Sequence, residues 1–151
     1  MIGKLSDIES MEAGQLDPFS GLSNTYNLIS DSAAKNPDAP ALSFFPRVED
    51  FRSPVTWSYR DFLQDITKAA NLFRRLGIQR KDVLAYILPN LPETHFTLWG
   101  GEAAGIVFAA NPLLEGKQLG KLLDSVGARW LVTVRPAVSY THLTLPTILL
   151  V

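Results

Sequence analysis

Between Val83 and Val134 the chain alternates short apolar runs with stretches of helical character, and this alternation leaves few folds open. "VLAYIL" (Val83–Leu88) has no charged or strongly polar position, the pattern of a strand covered on both faces. Asn90 with Glu93 then opens a helix, Pro92 sits in its first turn, and Gly105 ends it. "IVFAA" (Ile106–Ala110) is a second buried strand. A helix over about Glu115–Ser125 stops near Gly127, and "RWLVTV" (Arg129–Val134) is a third strand. Strand, helix, strand, helix, strand with short links means parallel strands joined by right-handed crossovers. The fold class is α/β: a partial doubly wound sheet of three parallel strands (βαβαβ), preceded by helices and short strands.

Upstream, residues 1–23 carry little periodicity and are broken by Gly14, Pro18 and Gly21, so they read as an extended leader. A helix follows from Asn24, its cap, to about Lys35, and Asn36-Pro37 stops it. Ala39–Phe45 and Val55–Trp57 are short strand candidates either side of a turn. Ser58 with Asp61 then starts a long helix. Tyr59, Phe62, Leu63, Ile66, Ala69, Ala70, Phe73 and Leu76 make its apolar face, Arg74 and Arg75 suit the dipole of its last turn, and Gly77 ends it.

Composition removes whole classes of function. A chain of 151 residues is one domain of ordinary size, and 14 Lys+Arg against 15 Asp+Glu exclude the uniformly basic footprint of a nucleic-acid binder. With no cysteine and two histidines, a disulfide scaffold, a thiolate metal site and a histidine-rich metal site are excluded. The start lacks the basic-then-apolar pattern of a signal peptide, and no apolar run reaches the ~18–20 residues of a membrane-spanning helix. The expectation is a cytoplasmic protein with no transmembrane segment; peripheral membrane association and oligomeric state stay open.

A search for chemistry returns no catalytic constellation. There is no G-x-G-x-x-G, and Gly3-Lys4, Gly116-Lys117 and Gly120-Lys121 lack the remainder of a phosphate loop. The pairs Gly101/Gly105 and Gly116/Gly120 read as helices packed closely on a sheet. His95 has no Asp or Cys partner in view and reads as structural, with Trp99 on the same face as a packing or pocket-wall aromatic. Glu93 is a helix N-terminal carboxylate, Glu102 a solvated or subunit-facing charge, and "RRLGIQRK" a solvated helix end. No residue is assigned as catalytic, cofactor-binding or metal-binding.

Several segments, taken in order, resemble a known family. "TWSY" leads into a helix, "LFRRLGIQRKD" precedes the first buried strand, and "LPNLPE" starts the next helix; "GGEAAGIVFAANPLLE" and "GARWLVTV" follow. The series over about Leu22–Val134 resembles the early part of acyl-CoA synthetases, within the adenylate-forming (AMP-dependent) ligases. "LPNLPETHFTLWGGEAAGI" favours a fatty-acyl or related enzyme over a peptide-synthetase adenylation domain. The resemblance implies a parent that uses ATP, Mg²⁺ and coenzyme A to convert a carboxylate, through an acyl-adenylate, into a thioester. In that family the phosphate loop, the later acidic and aromatic motifs and a C-terminal lysine carry the chemistry. None occurs here, so no role transfers to a residue of this chain and the chain alone is expected to be inactive. The alternatives are a free-standing flavodoxin-like binding or interaction module, and a peptide-synthetase adenylation domain.

All charged residues precede Ala137. Val138–Thr147, "VSYTHLTLPT", reads as the translation of a transposase-type sequencing adapter. The expected division is an extended leader (1–23), a partial AMP-binding domain (24–137) and a non-native read-through tail (138–151).

Overall fold

The structure, a computed structural model, describes residues 4–13, 21, 23–134 and 147–150. It opens with a helix, α1 (Leu5–Ala13), inside the segment expected to be an extended leader. The correction has a local cause. "LSDIESMEA" is made largely of residues that favour or tolerate helix, and the breakers that dominated the sequence reading begin only at Gly14.

Helix α2 (Thr25–Lys35) is capped as expected, with the Asn24 side chain accepting from the Asn27 N–H at 2.8 Å. Strands β1 (Pro40–Phe44) and β2 (Val55–Ser58) pair antiparallel, with Leu42 opposite Trp57 and Ser43 opposite Thr56; a short 3-10 helix, Val48–Arg52, lies between them. Helix α3 (Tyr59–Arg75) begins where Ser58 Oγ accepts from the Asp61 N–H and donates to its carboxylate. It ends in a Schellman turn: Gly77 takes φ +93°, and the Ile78 N–H reaches back to the Phe73 carbonyl at 3.1 Å.

The remainder is the expected alternation: β3 (Val83–Ile87), α4 (Pro92–Ala104), β4 (Ile106–Ala109), α5 (Gly116–Ser125) and β5 (Ala128–Thr133). Both faces of β3 are covered, and its residues alternate between them; β4, expected to be buried, is an edge strand exposed at Ile106 and Ala109. Ala85 and Ile87 pack with Leu119 and Leu123 of α5, whereas Leu84 and Leu88 pack with Phe73, Ile78 and Ala104 on the α3/α4 side. This two-sided burial is why β3 reads as an unbroken apolar run.

The three expected parallel strands are present, and a fourth, β6 (Thr147–Leu150), pairs parallel with β5, giving the order β4-β3-β5-β6. It falls in the tail set aside as read-through; Val138–Pro146 lie outside the described residues. "TILL" suits a strand, and β5 would otherwise present an open edge.

Thr133, the last residue of β5, is 2% exposed, and its hydroxyl has no hydrogen-bond partner among the described residues. A buried hydroxyl without a partner is a cost that an isosteric methyl removes. Thr133→Val is expected to stabilise the chain by about 1 kcal/mol, read as a higher urea midpoint; a lower midpoint would show that the hydroxyl is bonded.

Candidate functional site

Strand order reverses at β3, which lies between β4 and β5 although it precedes both in the chain. In open α/β sheets a ligand sits beyond the carboxyl ends of the strands at such a reversal. The loop leaving the carboxyl end of β3 lines a groove of 310 Å³ there. One wall is Leu42–Phe45, from β1 and the residue after it; the other is Asn90, Leu91, Pro92 and His95.

The sequence placed the cap of α4 at Asn90 with Glu93 as its partner, and the structure shifts both by one residue. Pro92 occupies the first helical position, so Leu91 becomes the cap. The Thr94 hydroxyl donates to the Pro89 carbonyl at 2.5 Å and lies 3.4 Å from the Leu91 N–H. Asn90 is left exposed at the groove, and Glu93 remains a first-turn carboxylate facing solvent.

His95 is half-buried against the groove and makes no hydrogen bond among the described residues. Trp99 is half-buried one turn further along α4. The aromatic contacts belong to other rings: Phe96 lies 6.0 Å from Trp57, edge-on, and 5.9 Å from Phe62. Trp57 donates from its indole N–H to Asp65 at 3.2 Å, which fixes β2 against α3. The sequence reading missed this trio because its members come from three separate elements.

Several of the charged candidates gather at the amino end of the sheet. Arg74, Arg80 and Glu102 border a cleft of 710 Å³ with the first residues of α2. Arg74 donates to the Ala103 carbonyl at 3.0 Å, while Arg75, Arg80 and Lys81 are exposed, in agreement with a solvated helix end. Gly101 supports the packing reading of the glycines: a Cβ there would lie 2.5 Å from Val107 Cγ2 and 3.1 Å from Leu84 Cδ2. Gly116 opens α5, and Gly120 lies one turn along it.

Partial burial, with a smaller contribution from Glu102, holds the Tyr86 phenol above its ordinary value near 10. Above that pH the unfolded chain gives up this proton before the folded chain does, so stability falls as pH rises from about 10. Tyr86→Phe is expected to flatten that alkaline loss, measured as melting temperature against pH; an unchanged slope would assign the loss to other groups.

The groove at the carboxyl end of β3 does not fit a triphosphate with its metal. The groove's polar groups are Ser43, Asn90 and His95, with no lysine or arginine among its lining residues, and no group of three or more His, Asp or Glu among the described residues could hold a metal ion.

Comparison with known proteins supplies what the site does not. Residues 29–148 match the family model described as AMP-binding enzyme, and the chain belongs to that family. The match runs beyond Val134, where the resemblance drawn from the sequence stops. Among curated relatives, the chain is 32% identical over 137 residues to a marinolic acid–CoA ligase of Pseudoalteromonas sp. (strain SANK 73390), covering 89% of this chain and 21% of that protein. It is 31% identical over 109 residues to a long-chain-fatty-acid–CoA ligase of Bacillus subtilis (strain 168), covering 72% of this chain and 18% of that protein. The chain thus spans about a fifth of the length of these relatives. The fold matches the N-terminal subdomain of Klebsiella oxytoca NpsA in complex with 3-hydroxyanthranilyl-AMSN, with a TM-score of 0.70 and 17% identity over 83% of this chain and 30% of that one. Membership of the AMP-binding family favours the ligase reading over the flavodoxin-like alternative.

Proposed function

We propose that the chain is the N-terminal part of an acyl-CoA synthetase acting on a carboxylic acid of the fatty-acid type. The substrate carboxylate attacks the α-phosphorus of ATP and pyrophosphate leaves; Mg²⁺, when bound by the full enzyme, would neutralise the phosphates. The sulfur of coenzyme A then attacks the acyl carbonyl, losing its proton, and AMP leaves. The residues of this chain build part of the fold that frames that chemistry and carry none of its steps. The observation supporting this reading is the similarity to two acid–CoA ligases, at 32% and 31% identity, across most of the chain. No described helix is long and apolar enough to cross a membrane, and the cytoplasm remains the proposed location.

Residues 138–147 are, in the same proposal, adapter read-through rather than native coding sequence. One experiment tests both parts. Genomic DNA from an independent clone is read across codon 137, and the protein it encodes is purified and incubated with ATP, Mg²⁺, coenzyme A and a panel of fatty acids. The expected result is a longer reading frame that diverges from "VSYTHLTLPT", and a product that forms acyl-CoA and AMP in equal amounts. Genomic DNA coding continuously for "VSYTHLTLPT" would refute the read-through. An acyl-adenylate passed to a carrier protein and not to coenzyme A would establish the peptide-synthetase reading instead; NpsA, whose fold the chain shares, also occurs in an artificially fused adenylation–carrier-protein di-domain.

A further inference from the structure

We draw no further inference here: the strongest candidate, the cleft at the amino end of the sheet between the start of α2 and the last turns of α3 and α4, is bordered by two exposed arginines with Glu102 beside them, and nothing in the structure points to a ligand for it.

Discussion

Gly100→Ala is expected to destabilise the chain by about 2 kcal/mol, against the sign that helix propensity alone would give. In an open helix the same change is favourable by about 1 kcal/mol, because glycine loses more backbone freedom on folding. Here the added Cβ would lie 2.7 Å from Ala69 Cβ, 2.9 Å from the Ile66 carbonyl oxygen and 3.0 Å from the Ala70 nitrogen. Two of those atoms are backbone of α3 and the third is fixed to it, so no side chain can rotate aside. The helices must separate, and with them the packing of Ile66, which is fully buried. Gly100→Val adds two further methyl groups at the same contact and is expected to leave no cooperative unfolding transition. Urea unfolding followed by circular dichroism reads both variants. Combining Gly100→Ala with Ala69→Gly removes one of the three clashes and should recover part of the loss. A Gly100→Ala chain as stable as the original would mean that α3 and α4 do not approach this closely.

The elements best legible in the sequence are those whose signals are local and agree with one another. Helix α3 carries a serine cap, a 3.6-residue apolar period and a glycine stop, and it forms between the residues those signals mark. Strand β3 was recognisable because burial on both faces removes every strongly polar residue from it. Where two local signals competed, the reading slipped. At the start of α4 an asparagine looked like the better cap, but the fixed φ of Pro92 set the register and gave that place to Leu91. Helix α1 was missed because breakers just beyond it coloured the whole segment. The groove at the carboxyl end of β3 could not be read at all. His95 was visible as a candidate, but the wall it faces comes from β1, and pairing across that distance is set by tertiary packing. Catalytic chemistry was not legible for a simpler reason: the motifs that would announce it, a G-x-G-x-x-G or a complete phosphate loop, do not occur in the sequence.

In a carboxylate-dependent ATP–pyrophosphate exchange assay, the 151-residue chain is expected to give the rate of the buffer alone. Exchange requires that a carboxylate and an α-phosphate be held in line and that the charge developing on the phosphates be stabilised as it forms. Holding two reactants in line is worth roughly 7–11 kcal/mol, and each well-placed donor a further ~3 kcal/mol. The chain places its chemistry poorly for either task. Its groove at the carboxyl end of β3 offers Ser43, Asn90 and His95 without a lysine or arginine, while Arg74 and Arg80 stand at the opposite, amino end of the sheet. Forfeiting about 10 kcal/mol lowers a rate by about seven powers of ten, below detection for any enzyme of ordinary turnover. The protein encoded by the independent genomic clone, assayed beside it, is expected to exchange readily and so to show that the assay is sound. If the purified 151-residue chain itself supported exchange that depended on added carboxylate and survived repeated chromatography, the phosphate-handling groups would have to lie within residues 1–151, and the assignment of this chain as a non-catalytic part of the enzyme would fail.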